Sequence, residues 1–389
     1  MIPPSPLTRQ WGNKLWMSGL SLLILWGLLG YRQQLQTGLA VTALSDQAPW
    51  GLYIANFLFL VGIAASAIIL VAAVPIFHRH DLAATLLPAK ALAITAVTMS
   101  LLFVLVDLGH PERILHALPV LGTLNFPTSV MAWDILALIF YLVLNIGWLL
   151  YHYYGQKQSP TTRNTTLHTM GILLTILLGL SIHTLTAFLL AGLPAHPLWH
   201  TPLLAPRFII SATAAGTALM ILLFRLTRHR HIPDSLFPLL NKILTAALLT
   251  HLFFLGSELF VLLYTTPRDH QAAHSLYLGW NQGNPWSFWI LAALGMILLA
   301  TGLLLHPQWR TRTSAQGWAA ALTLIGIWME KGLGLLLPGF IPTPLGEQRI
   351  SYHPTLVEIQ ITLAIWALGA LILTALLRMF EKIDPPLQP

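Results

Sequence analysis

The chain has 389 residues, of which 56% are hydrophobic and only 8% are charged, against roughly a quarter charged in an ordinary globular domain. A soluble fold of this size could not keep so much apolar surface from water, so the composition implies a polytopic membrane protein. Cysteine is absent, which excludes disulfides, thiolate nucleophiles, iron–sulfur ligation and covalent haem attachment. The net charge of +7 is scattered over short loops, the pattern of membrane topology and not of a nucleic-acid stripe.

Crossing about 30 Å of hydrocarbon takes roughly 20 mostly apolar residues. Ten runs qualify: 14–31, 50–77, 82–106, 129–153, 167–193, 205–226, 237–264, 286–306, 317–337 and 356–379. The expected fold is therefore all-α, a single membrane domain over 1–389 with about ten transmembrane helices. Run 14–31 is an extra N-terminal helix, 50–264 holds spans 2–7, and 286–379 holds spans 8–10. No small-residue cleavage site follows LWGLLGYRQQ, so the first run reads as an uncleaved span. The loops after spans 2, 4, 6 and 8, with both termini, carry Arg9, Lys14, Arg79, Lys157, Arg163, Arg225, Arg228, Arg230, Arg310, Arg312, Arg378 and Lys382. The opposite side carries only Arg32, Arg113, Arg207, Arg268 and Arg349. This bias places both termini in the cytoplasm.

Ionisable groups inside a bilayer are costly and mark candidate function. Five acids qualify: Asp107 ending span 3, Asp134 beginning span 4, Glu258 in span 7, Glu330 in span 9 and Glu358 opening span 10. In this topology all five fall in the outer half. Glu258 lies about 9 Å, and Glu330 about 11 Å, from the outer end of its helix at 1.5 Å per residue. Any one of them could be a structural partner for Lys331, Arg113 or a backbone group; the one-sided set points to chemistry near the outer face. The inner half offers Lys90, either a hint of a cytoplasmic route or a lysine paired within the bundle.

Sixteen histidines are present, and His183 and His251 stand at similar depth on spans 5 and 7. Two histidines on separate helices could ligate a b-type haem, although the same-helix pairs usual in two-haem cytochromes are missing. A proton-handling or quinone-bonding role for His183, and a satisfied core role for His251, are the alternatives. Tyr53 and Asn56 are three apart at the start of span 2 and share a face. They could bond a quinone carbonyl or neighbouring helices. Trp50 reads as an interfacial anchor.

The motifs PWGLYIANFLFLVG (49–62), DLGHPER (107–113), FPTSVMAWD (126–134), SIHTLTAFLL (181–190), HPLWH with APRF (196–208), SELF (257–260) and WMEKGLGLLLPGFIPTPLGEQRISYHPTLVE (328–358) occur in order along the spans. In this the chain resembles the NrfD/PsrC family of membrane quinone-reactive subunits. The last motif is most similar to the ten-helix DsrP branch, the membrane subunit of the sulfite-reductase-linked complex. The membrane subunit of nickel–iron hydrogenases is the nearest competitor. The resemblance implies an inner-membrane subunit without an iron–sulfur cluster or haem b of its own. It would bind menaquinone or ubiquinone near the outer face and exchange electrons with an extracytoplasmic iron–sulfur protein. A cytochrome c, a haem b membrane subunit and a cytoplasmic iron–sulfur subunit would complete the complex.

Carried onto this sequence, the resemblance puts the quinone pocket at the outer ends of spans 2–4: Tyr53, Asn56, the Asp107–Arg113 loop and Trp133–Asp134, with His183 as the span-5 histidine. Near Phe57 the chain has an apolar residue where the polysulfide-reductase pattern has a quinone-contacting histidine. Quinol oxidation releases two protons with two electrons. Asp134, with His183 or His110, is the expected proton handler, and Arg113 sets the local field or holds Asp107 ionised. Glu258, Glu330 and Glu358 are expected to continue a proton route outward. A transporter would break helices near the midplane, and a structural anchor would not need five buried acids.

Overall fold

A computed structural model describes residues 6–76, 85–117, 122, 124–155, 165–227, 236–264, 270–271, 273–279, 284–340 and 351–383. The long helices are α1 (Pro6–Thr37), α2 (Leu52–Ile76), α3 (Leu86–Asp107), α4 (Val130–Gly155), α5 (Thr165–Ala191) and α6 (Leu204–Thr227), followed by α7 (Leu236–Tyr264), α8 (Pro285–Leu305) and α9 (Thr313–Lys331). After α9 come the short α10 (Leu333–Gly339) and the last helix α11 (Leu356–Ile383). Short 3₁₀ turns occupy Gly38–Val41 and Pro111–Ala117, and a π-turn occupies His274–Leu278. Among the described residues there is no strand.

Among the described residues, nine stretches are long and apolar enough to cross a membrane. The tenth expected span is α2, whose 25 residues measure about 38 Å at 1.5 Å per residue. The protein is a multi-pass membrane protein. Up-and-down threading puts the described residues of 38–51, 108–129, 192–203, 270–284 and 351–355 at one end, called here the long-loop end; in the sequence, the connections at the other end span fewer residues. In the reading from basic residues, the long-loop end is the outer one.

The bundle has an interior and a rim. Helices α3, α6 and the α9–α10 stretch are mostly buried, whereas α1, α4, α5, α7, α8 and α11 expose long apolar faces. Helix α2 packs on α3, α5, α6 and α9 and forms the axis of the bundle. Lipid tails are as apolar as leucine, so helices associate in membranes by close packing of small residues. Every residue from 211 to 218 of α6, the run SATAAGTA, is buried. Ala55 and Ala64 of α2 and Ala89, Ala93 and Ala96 of α3 are fully or almost fully buried as well. The extra helix α1 docks on α11, and a Cβ at Gly27 would stand 2.1 Å from the Ala364 Cβ. That contact explains why the first span needs glycine there.

One expected span is not continuous. The run 317–337 is two helices, with Gly332 between them at φ −80°, ψ −113°. A Cβ on Gly332 would lie 2.5 Å from the Trp328 carbonyl oxygen, so only glycine lets the backbone fold this close. The break falls at the end of a 19-residue helix, about 29 Å from its start, and hence near the long-loop end and not at the midplane.

Candidate functional site

Five helices leave a cavity of about 620 Å³ between them, within the range of small-molecule sites. Leu52, Asn56, Phe59, Leu60 and Ile63 of α2 form one wall; Leu92, Thr95, Ala96 and Met99 of α3 another; Leu219 of α6 closes the back. Leu324, Ile325 and Trp328 of α9 face the stretch from Ile359 to Leu373 of α11. The walls are almost wholly apolar. Asn56 supplies a polar point at the long-loop side: its Oδ1 accepts from Trp328 Nε1 at 3.2 Å and Trp366 Nε1 at 3.0 Å, and its Nδ2 donates to the Leu52 carbonyl at 2.7 Å. Both acceptor sites of the amide oxygen are thus taken, while one amide proton of Nδ2 stays available.

Beside this cavity, a hydrogen-bond network ties the long-loop ends of α1, α2, α3 and α11. Tyr53 donates to Gln34 Oε1 at 2.8 Å, and Gln34 Nε2 donates to the Val106 carbonyl at 2.6 Å. Tyr352 donates to Glu358 Oε1 at 2.6 Å and accepts from the Leu52 amide at 2.7 Å. Burial, and then the Glu358 charge, hold the Tyr352 phenol well above its usual range, so it remains a donor. Glu358 Oε2 accepts from the amides of Ala43 and Thr355, each at 2.9 Å. A carboxylate in the first turn of α11 that binds amide protons is a helix cap. Asp107 lies within electrostatic reach of Tyr53 and Glu358, and its Oδ1 is buried with no hydrogen-bond partner.

A second buried group is built around Arg207, in the first turn of α6. Its Nη1 contacts Glu258 Oε2 of α7 and its Nη2 donates to Glu330 Oε1 of α9 at 2.6 Å. His251 Nε2 stands 3.6 Å from Glu330 Oε2. Lys331 points its ammonium at the Phe208 ring, 4.1 Å from the centroid, with no hydrogen-bond partner. Two cations and two anions balance formally, which is what allows four charges to sit away from water. Tyr277 lies within electrostatic reach of this group, and its phenol is pushed up to about 12, chiefly by burial; Arg207 pulls it down and Glu330 raises it.

Asp134, in the first turn of α4, is buried and accepts from Thr186 Oγ1 at 2.9 Å. The same hydroxyl lies 2.6 Å from the Ile182 carbonyl, yet it has a single proton. With Asp134 ionised, Thr186 gives that proton to the carboxylate. With Asp134 protonated, the carboxyl donates and Thr186 turns its proton to Ile182. The pair accommodates either state. His183 is three residues earlier on the same face of α5, buried, with both ring nitrogens unpartnered and Lys331 within electrostatic range.

The expected site residues therefore fall into separate places. Asn56 lines the cavity, Tyr53 and Asp107 sit beside it, and Asp134 meets Thr186 across the α4–α5 seam, with His183 three residues before Thr186 on α5. Glu258 and Glu330 meet on Arg207, but Glu358 is a helix cap bonded to Tyr352, apart from them. His110 is exposed and paired with Glu112 at 2.9 Å; Arg113 is exposed, and among the described residues Asp107 makes no ion pair with it. Trp133 is exposed, donates to the Pro127 carbonyl at 2.9 Å and packs at a tilt against the Phe126 ring. Lys90 lies over the Trp148 ring at 4.8 Å. Among the described residues no group of three or more His, Cys, Asp and Glu could hold a metal ion.

Residues 40–342, more than half of the chain, match the family described as "Polysulphide reductase, NrfD". The chain belongs to the NrfD family. Among curated proteins, this NrfD member is similar to a putative membrane subunit of dimethyl sulfoxide reductase from Halobacterium salinarum, with 27% identity over 93% of this chain and 90% of that one. It is also similar to a selenate reductase subunit from Mesobacillus selenatarsenatis, with 24% identity over 85% and 83% of the two chains. A third relative is the Hdr-like menaquinol oxidoreductase integral membrane subunit of Archaeoglobus fulgidus, with 24% identity over 72% and 68%.

The NrfD match begins after α1 and stops before α11. The two helices that dock on each other thus lie outside it, yet α11 closes the cavity. The sequence reading misses Arg207 as an ion partner and counts it only as a loop-edge charge. Its position three residues into an apolar run, in APRF, is the available signal. Gln34, Trp328 and Trp366 escape it because their partners are 19 to 310 positions away.

Proposed function

We propose that this NrfD-family chain is the membrane subunit of an oxidoreductase complex that binds a quinone or quinol toward the outer face and exchanges electrons with an extracytoplasmic iron–sulfur partner. The observation that carries this reading is the apolar cavity of about 620 Å³ with the Asn56 amide at its long-loop side. A quinone ring with part of its prenyl tail needs that combination: greasy walls and a hydrogen-bond donor for a carbonyl. Asn56 Nδ2 provides the donor, and the two indoles fix the amide so that it cannot flip away. Menaquinone and ubiquinone both fit the donor set.

The residues beside the cavity supply the proton chemistry. Two protons leave with every two electrons when a quinol is oxidised, so acceptors must lie close and reach the outer side. Asp107, half-buried with an unpartnered Oδ1 and within electrostatic reach of Tyr53, takes the first part. Asp134 with Thr186 and His183 takes the second, since that pair works with its carboxyl in either protonation state. The Glu258–Arg207–Glu330 group continues the path, with Arg207 setting how readily each glutamate holds a proton. Glu358 is assigned to holding α11, and His110, Arg113 and Trp133 to the mouth of the loop that meets the partner.

For the finer assignment we place the chain in the sulfite-reductase-linked, sulfur-metabolising branch, supported by the 328–358 motif, in the inner membrane with both termini cytoplasmic. Its partners are then a cytochrome c, a haem b membrane subunit and a cytoplasmic iron–sulfur subunit. A second reading, the membrane subunit of a dimethyl-sulfoxide- or selenate-type reductase, is favoured by the two relatives that match most of the chain. Mass spectrometry of the complex purified through this chain separates the two by its subunits. The quinone reading itself is tested by menaquinol oxidation in the intact complex. Asn56→Leu should lower turnover at least tenfold, and unchanged turnover would remove the cavity from the reaction.

A further inference from the structure

A threonine inside a helix usually returns its hydroxyl to the carbonyl four residues back. Thr98, Thr175, Thr213, Thr245, Thr301, Thr323 and others do so here. Thr95 and Thr362 do not. Each is more than nine-tenths buried, each has a hydroxyl with no partner, and both line the cavity, on α3 and α11. An unpartnered hydroxyl in apolar surroundings is costly, and it is the feature expected where a ligand completes the bonding. Measured along their helices, Thr362 lies about 9 Å, and Thr95 about 18 Å, from the long-loop end at 1.5 Å per residue. The two residues therefore stand at different depths on adjoining walls.

The cavity also has a side door. Its α9 and α11 walls are not packed closely on each other, and three lining residues there, Ile325, Ile359 and Leu363, are 48%, 39% and 39% exposed. On a helix bundle in a bilayer, that exposure faces lipid tails.

We propose that quinone enters this cavity sideways from the bilayer between α9 and α11, and that the Thr95 and Thr362 hydroxyls hydrogen-bond its two ring oxygens. This rests on the quinone reading above and adds to it the path of entry and two residues that, together with Asn56, set the ring's orientation. The threonines bind and orient; they do not carry protons away, since each hydroxyl is otherwise surrounded by carbon. Prenyl chains pass out through the door, so chain length matters little, whereas any change that fills the door matters much.

The test uses the full chain in nanodiscs of phosphatidylcholine, titrated with menaquinone-4. The Thr95→Val/Thr362→Val variant should melt at or above the wild-type temperature without quinone, because two unpartnered hydroxyls have been removed. It should also bind menaquinone-4 at least tenfold more weakly. Leu363→Trp, which fills the door, should slow binding at least tenfold with a smaller change in affinity. Wild-type binding with an unaltered double variant overturns this inference and leaves the quinone reading standing. A double variant that melts lower overturns it too, since the hydroxyls would then be serving the fold. No menaquinone-4 binding by wild type, with phospholipid retained in the cavity on native mass spectrometry, overturns both.

Discussion

At the scale of single residues, the charges sort by whether a partner sits within reach. Arg207 holds Glu258 and Glu330 together, all three buried. Removing one member of such a group leaves charge uncompensated and costs about 3–5 kcal/mol. Arg207→Met is expected to lower the thermal midpoint of the purified protein strongly, and adding Glu258→Gln and Glu330→Gln should recover much of the loss. No recovery would mean that the arginine acts through packing alone. Asp134 is different, because its partner Thr186 serves either protonation state. Asp134→Asn should keep the fold but reduce quinol turnover in the intact complex by tenfold or more, while Thr186→Val should have a smaller effect. Unchanged turnover in Asp134→Asn withdraws this carboxyl from the proton path.

The acids are legible in the sequence, since a carboxylate in an apolar run is conspicuous. What each one touches is not. Glu258, Glu330 and Glu358 read as one set because all lie in the outer half, but depth along a helix says nothing about which way the side chain points around it. Arg207 turns two of them inward, and the first turn of α11 claims the third. The lysine next to Glu330 is the more obvious partner by position, and it faces an aromatic ring instead.

At the scale of elements, hydrophobic run length finds the ten long helices because the bilayer imposes its thickness on each. It cannot find the break at Gly332, since an apolar run stays apolar whether or not its helix continues. Gly332→Ala sets a methyl 2.5 Å from the Trp328 carbonyl oxygen. It should shift α10, move Trp328 off Asn56, and so weaken quinone binding measurably while leaving insertion intact. Glu358→Gln keeps one acceptor but loses the ionic cap of α11. It is expected to cost about 1–3 kcal/mol, read as a lowered thermal midpoint. Turnover per folded molecule should be little changed, and a large fall in it would return Glu358 to the proton path.

At the scale of the whole molecule, the cavity is the least legible feature. It is made by α2, α3, α6, α9 and α11 together, and no local pattern reports a space left between helices. Only Asn56 of the expected quinone residues lines it, because the sequence reading tracks polar side chains while the cavity is apolar. The helix α11 that closes it is held by α1 on the rim, giving the extra first span a purpose in the architecture. Cysteine scanning of the 108–129 and 306–312 loops, with a membrane-impermeant label on whole cells, should mark the first and spare the second. The reverse pattern would invert the topology on which the outer site depends.

The most direct measurement is the quinone content of the protein purified from its own membranes, extracted and quantified beside a reduced-minus-oxidised visible spectrum. Close to one quinone per chain is expected, falling at least tenfold in Asn56→Leu, with no haem signal from this subunit. A b-type haem spectrum with no quinone would contradict the quinone reading and return His183 and His251 to the centre as axial ligands.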